Sequence, residues 1–157
     1  MAPGAILLMR HAEKPPGESH AHLSGAGRAR ARRLARSIPA LWGRPDFLFA
    51  AADKSGSVRP RETLEPLAAA LGLEINQHFS DRNSAGFAAK LLTDPAFNGK
   101  RILVCWRHDA LPTLARALGA PPGLCPDPWP DGLYDLVLRL DYGADGNPQA
   151  TALEEPF

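Results

Sequence analysis

Residues 5–11 read Ala5-Ile6-Leu7-Leu8-Met9-Arg10-His11, five apolar residues in a row stopped by an arginine and a histidine. A continuous apolar run of this length suits a strand buried on both faces, and such strands belong to parallel sheets covered by helices on either side. The run therefore predicts a central strand that delivers two polar groups at its carboxyl end. Arg101-Ile102-Leu103-Val104-Cys105-Trp106 repeats the pattern and ends in Arg107-His108. These two segments set the frame for what lies between them.

Around that frame, strand and helix signals alternate. Residues 12–22 are rich in proline, glycine and polar side chains and read as a loop above the first strand end. Ser24 is placed to cap a helix running to Ile38, with Ala26, Ala31, Leu34, Ala35 and Ile38 at near-helical spacing. Residues 46–51 make a second buried strand, 54–57 a turn, and Arg59 opens a helix that Gly72 stops after Leu71. Pro60 fits the first turn of that helix, where its missing N–H costs nothing. A weak strand over 74–77 and a helix over 84–92 follow. Residues 111–118 read as a helix closed by Gly119, and the five prolines of 120–132 make that segment an ordered, irregular crossing. Residues 133–141 alternate as a last strand, with a sheet edge as one position for it, and the tail from Gly143 is turn-rich. The expectation is a three-layer α/β/α sandwich with a mostly parallel central sheet, one domain over residues 1–157.

The chain has 157 residues, 45% hydrophobic and 22% charged, the composition of a globular protein with its own core. Its formal net charge of +1 lacks the strongly basic field of a nucleic-acid protein, so anion binding has to be local. Cys105 lies inside an apolar strand and reads as a buried thiol, so no disulfide framework is implied. The five-residue apolar run is too short for a signal peptide or membrane span, which places the protein in the cytoplasm as an expectation. The arginines at 28, 30, 32, 33 and 36 read as a solvated helix face, spread around the helix without interleaved aromatics. Oligomeric state is not legible.

In open α/β sheets ligands gather beyond the carboxyl ends of the strands, and Arg10, His11, Arg59 and His108 all fall there. Two histidines and two arginines without a cysteine or carboxylate cluster make a poor metal site and a good phosphate site. Arginine offers phosphate a bidentate fork and stays charged at working pH. Two such cations disfavour a third charge, so an imidazole between them stays neutral and nucleophilic. Arg107 has two readings, a solvent-facing side chain or a third phosphate ligand. Trp106 packs at the strand end or walls the pocket. His20, His22 and His78 are assigned to loops or surface, the first two within reach of the pocket mouth.

These residues carry a resemblance. Leu8-Met9-Arg10-His11-Ala12-Glu13 resembles the Arg-His-Gly-Glu signature of the histidine phosphatase (phosphoglycerate mutase-like) superfamily. Residues 23–31, beginning Leu23-Ser24-Gly25, look like the Leu-Thr-x-x-Gly segment that opens its first helix. Ser55-Gly56-Ser57-Val58-Arg59-Pro60-Arg61-Glu62-Thr63 is similar to its Ser-x-x-x-Arg-Ala-x-Gln-Thr, and His108 sits where its second histidine follows a strand. The resemblance spans roughly residues 5 to 120. It implies a phosphatase of the small bacterial type, in which His11 forms a phosphohistidine and Arg10, Arg59 and His108 bind the phosphoryl oxygens, with no cofactor and no metal. The substrate would be a phosphorylated small molecule or a phosphoprotein, with no nucleic acid or membrane partner. Asp109 occupies the general-acid position of one branch, and Asp81 and Glu13 are the alternatives. Ala12 replaces the signature glycine, and Gly17 stands where phosphoglycerate mutases carry an asparagine. With the chain so short, mutase activity is not expected. A module that binds a phosphorylated ligand without turnover is the alternative function.

Overall fold

A computed structural model describes residues 2–17 and 21–155. His20 lies outside the described residues. One six-stranded sheet has the order β3-β2-β4-β1-β5-β6. Its parallel part consists of β1 (Ala5–Arg10), β2 (Phe47–Ala50), β3 (Ile75–Asn76) and β4 (Arg101–Trp106). The central pair, β1 and β4, run in register from Ala5 opposite Arg101 to Arg10 opposite Trp106. Both polar pairs foreseen in the sequence therefore leave the sheet at one level, and the His11 N–H donates to the Trp106 carbonyl at 3.1 Å.

Every residue of β1 is buried, as its unbroken apolar run requires, and alternate side chains serve two cores. Ile6 and Leu8 join Phe49, Val104 and Trp106 under α3 (Ser84–Thr93) and α4 (Leu111–Ala117). Leu7 and Met9 join Leu48, Leu103 and Cys105 under α1 (Gly25–Trp42) and α2 (Arg59–Leu71). Trp106 is core: its ring stacks on Phe87 at 4.9 Å and its N–H donates to Ser84 Oγ at 3.2 Å. Gly72 closes α2 in the left-handed region, at φ 67°, where a side chain would be strained.

Helix α1 starts as foreseen, with Ser24 Oγ accepting from the Gly27 N–H at 3.0 Å. It does not stop at Ile38; it continues through Pro39 to Trp42, whose ring packs on the α1/α2 core. The arginines are not spread evenly around it. Arg30 turns inward, while Arg28, Arg32 and Arg36 are exposed at four-residue spacing on one line. Like charges at that spacing cost about 0.2–0.5 kcal/mol per pair, and a cation in the first turn also opposes the helix dipole.

The end of the chain corrects the sequence reading. The strand expected over 133–141 is β5 (Leu136–Tyr142), an interior strand antiparallel to β1. The tail is not only turn: β6 (Pro148–Glu154) pairs antiparallel with β5 along its whole length and forms the edge opposite β3. Its side chains are mostly exposed or half-buried and polar or small, so backbone hydrogen bonds rather than apolar patterning define it. Pro148 sits at its first residue, where a proline is tolerated. Among the described residues no helix is long and apolar enough to cross a membrane.

Candidate active site

His11 emerges from β1 with its side chain almost sealed, 3% exposed. Its Nδ1 lies 2.6 Å from the Ala12 carbonyl, which can only accept, so Nδ1 carries the proton and Nε2 keeps its lone pair. Burial, then the nearby Arg10, Arg59 and His108, push its pKa down to about 3, against the opposing Ala12 hydrogen bond. The imidazole is therefore neutral across the physiological range, with an unprotonated nitrogen among cations.

The segment after His11 is tied to two helices. The Ala12 N–H donates to Thr63 Oγ1 at 2.9 Å, and that hydroxyl donates to the Arg59 carbonyl at 2.8 Å, linking the end of β1 to the first turn of α2. The Ala12 methyl, foreseen as a departure, is buried in a small cluster with Leu23 and Ala31. The Glu13 carbonyl accepts from the Ser24 N–H at 2.9 Å, and a Cβ on Gly27 would overlap that carbonyl, so only glycine lets α1 approach this closely. Gly17 is exposed and offers the site no side chain.

Arg10, Arg59 and His108 surround His11 closely enough to shift its titration, and Arg10 acts on His108 in turn. Burial, reinforced by Arg10, lowers the His108 pKa, so this ring is also neutral at pH 7. Arg59 feels burial first and then the positive charge of Arg107, both lowering its pKa. Arg107 is not solvent-facing. It is buried, its Nη2 donates to the Ala52 and Ser57 carbonyls at 3.1 and 2.7 Å, and its Nη1 lies 3.5 Å from Asp81. It holds the turn that leads into Arg59.

Three side chains of the site escaped sequence reasoning, Tyr134, Asp131 and Lys14. The Arg10 guanidinium lies over the Tyr134 ring at 4.0 Å, and its Nη1 donates to the carbonyls of Asp131 and, at 3.1 Å, Leu133. Arg10 thus pins the proline-rich crossing onto the site. The Asp131 carboxylate lies 3.1 Å from Lys14, 3.6 Å from Arg10 and 3.7 Å from His108 Nε2. Its pKa is lowered, chiefly by the Lys14 hydrogen bond. Of the three, only Asp131 lies in the proline-rich crossing of residues 120–132, and nothing in the sequence pattern singles out Lys14 or Tyr134.

The three carboxylates foreseen as acids separate clearly. Asp109 is exposed next to His108, raises its pKa, and makes no hydrogen bond or ion pair among the described residues. Asp81 is engaged by Arg107 and by Lys54 at 3.4 Å. Glu13 forms a two-pronged pair with Arg30 at 2.8 and 3.0 Å. Burial raises the Glu13 pKa but the Arg30 hydrogen bonds outweigh it, so this carboxyl stays ionised. Among the described residues no three His, Cys, Asp or Glu side chains group as a metal set. Cys105 is fully buried, and burial raises its thiol pKa, consistent with a core role.

Behind Arg30 sits Glu155, its side chain 1% exposed and 3.6 Å from Arg30 Nη1. Burial, with Glu13 and Asp135 adding repulsion, raises its pKa to about 8 despite Arg30. Between pH 4.5 and 8 the folded chain holds a proton that the unfolded chain releases, so this group's contribution is present at low pH and lost as pH rises. From pH 7 to 8, where the site histidines are mostly neutral in both the folded and the unfolded chain, this group's contribution should fall by about 1 kcal/mol. Glu155→Gln should flatten that limb, measured by urea unfolding at each pH; an unchanged slope would refute the assignment.

No family model matches the sequence, and no curated relative matches it. Solved structures do match. A protein assigned as the phosphohistidine phosphatase SixA from Agrobacterium tumefaciens superposes with a TM-score of 0.70 at 20% identity, over 98% of this chain and 99% of that one. The protein histidine phosphatase SixA complexed with tungstate gives 0.67 at 15% identity, over 96% of each chain. A mycobacterial glucosyl-3-phosphoglycerate phosphatase with inorganic phosphate gives 0.64 at 16% identity, over 97% of this chain and 96% of that one. The chain thus has the histidine phosphatase superfamily fold, the phosphoglycerate mutase-like α/β architecture that the motifs implied.

Proposed function

We propose that this chain is a metal-independent histidine phosphatase acting through a covalent phosphohistidine on His11. One observation carries the reading: Nδ1–H is held by the Ala12 carbonyl, so the lone pair of Nε2 is available among Arg10, Arg59 and His108. In the first step that lone pair forms an N–P bond as the P–O bond to the leaving group breaks. Arg10, Arg59 and His108 take the charge on the phosphoryl oxygens, and Asp109 gives its proton to the leaving oxygen. In the second step water attacks phosphorus, the N–P bond breaks, and Nε2 recovers its lone pair. Asp109 takes the water proton, and inorganic phosphate leaves.

Asp109 is assigned the proton because the other carboxylates are engaged elsewhere: Glu13 with Arg30, Asp81 with Arg107, and Asp131 with Lys14. The fold itself does not choose a substrate, since the compared structures include a protein histidine phosphatase and a sugar-acid phosphatase. Both a phosphorylated metabolite and a phosphoprotein are therefore within the proposal.

The test is a series of aryl phosphates of rising leaving-group pKa, read as phosphate release. The native protein should turn them over, and Asp109→Asn should lose about 10²-fold or more on the poorest leaving group and little on the best. A uniform loss across the series would remove Asp109 as the acid. Tight phosphate binding with no turnover of any member would replace the enzyme with a binding module. Because His11 is neutral down to about pH 3, kcat/KM should show no nucleophile-dependent fall between pH 8 and pH 5.

A further inference from the structure

Helix α1 carries five of the chain's 18 lysines and arginines and none of its 17 aspartates and glutamates, so the rest of the molecule is net negative. One of the five, Arg30, serves Glu13 and Glu155 beneath the site. Arg28, Arg32 and Arg36 instead form the exposed line described above, with no ion pair among the described residues, and Arg33 is exposed beside them. Such an acid-free line runs against what a helix kept only for solubility would carry, interspersed charges of both signs.

Two adjoining grooves run from the loop that follows His11 to this line. A groove lined by Pro15, Pro16, Leu23 and Arg28 begins next to Lys14, which is paired with Asp131 beside Arg10 and His108. A second groove shares Leu23 and Arg28 with the first and continues along Ala31 and Arg32, with Pro66 of α2 as its far wall. Two acids also border it: Glu62, which accepts from the Leu23 N–H at 2.9 Å and lies 2.9 Å from His22 Nδ1, and Glu65, which pairs with Arg61 at 3.2 Å. Arg28 and Arg32 are the charged side chains of this path that have no ion-pair partner among the described residues. Successive arginines of the line are about 6 Å apart along the helix, close to the roughly 6.6 Å between alternate residues of an extended chain.

Resting on the phosphatase reading, we propose that the Arg28–Arg32–Arg36 line docks an acidic, extended segment of a phosphoprotein substrate. The phosphorylated residue would enter the His11 site while acidic residues at every second position of its flank meet the arginines. The substrate class is then a protein rather than a metabolite, recognised by flanking charge outside the phosphoryl pocket.

Two phosphotyrosyl peptides of equal length test this, one with glutamate and one with glutamine at alternate flanking positions, with a free aryl phosphate as the third substrate. At low salt the glutamate peptide should have a KM about tenfold lower than the glutamine peptide, with similar kcat. The combined variant Arg28→Gln, Arg32→Gln, Arg36→Gln should erase that preference and leave the aryl phosphate kinetics unchanged. Equal KM values for the two peptides, or a preference that survives in the variant, overturns the proposal. If nothing is hydrolysed, the function reading fails, and fluorescence anisotropy of the labelled glutamate peptide still decides docking. Tighter binding to the native protein than to the variant supports the surface, and equal binding overturns it. Single-stranded DNA bound through the same arginines more tightly than the peptide would make this a nucleic-acid surface, also contrary to the proposal.

Discussion

His11→Ala should lower kcat on any substrate by at least about 10³- to 10⁴-fold while leaving phosphate affinity within a few-fold of the native value. The magnitude follows from removing a covalent nucleophile whose partners remain, since residual catalysis then comes only from oriented cations and bound water. The affinity follows from geometry: Arg10, Arg59 and His108 are anchored by their own elements, not by the imidazole. Arg10 is held by the crossing and Tyr134, and Arg59 lies in the first turn of α2. The measurement is steady-state turnover beside phosphate binding by calorimetry. Loss of both together would indicate that the variant had disturbed the pocket, and retention of turnover would remove His11 from the chemistry.

The second large effect is expected on stability. Arg107→Met should cost about 3–5 kcal/mol, a large share of the 5–15 kcal/mol typical of a whole domain, and lower Tm by roughly 10 °C. The side chain is buried, and its loss would leave the carbonyls of Ala52 and Ser57 without their donor and the Asp81 carboxylate with only the half-exposed Lys54 as an ion-pair partner. Those carbonyls belong to the turn that delivers Arg59, so activity should fall with stability. Adding Asp81→Asn to Arg107→Met should recover part of the stability by removing a largely buried charge that only Lys54 still offsets, and thermal unfolding of the two variants measures this. A Tm within 2 °C of native for Arg107→Met would show that the pair contributes little.

The legible part of this protein is the part that burial wrote into the sequence. The runs at 5–9 and 101–106 had to be buried on both faces, so the meeting of Arg10-His11 with Arg107-His108 at one sheet end followed from parallel pairing. Ser24 and Gly72 declared the ends of α1 and α2 through capping chemistry. Where contacts are made by backbone or by isolated polar side chains, the sequence was silent. The edge strand β6 is held by main-chain hydrogen bonds to β5 and buries too little to alternate visibly. Asp131 and Tyr134 reach the site from an irregular segment whose path depends on Arg10, more than 100 residues earlier. Arg107 stood with two readings because a strand-end arginine has the same local sequence whether it points to solvent or into the turn. The arginines of α1 were read as spread around the helix, and only the inward turn of Arg30 sets apart the line formed by Arg28, Arg32 and Arg36.

The central claim is that His11 becomes phosphorylated during turnover. Rapid quenching at neutral to alkaline pH preserves an acid-labile phosphohistidine, and intact-protein mass spectrometry with peptide mapping then locates it. A one-phosphate adduct on the peptide containing His11, absent from His11→Ala, is the expected result. Turnover with no adduct at the shortest times, or an adduct that persists in His11→Ala, would contradict the account.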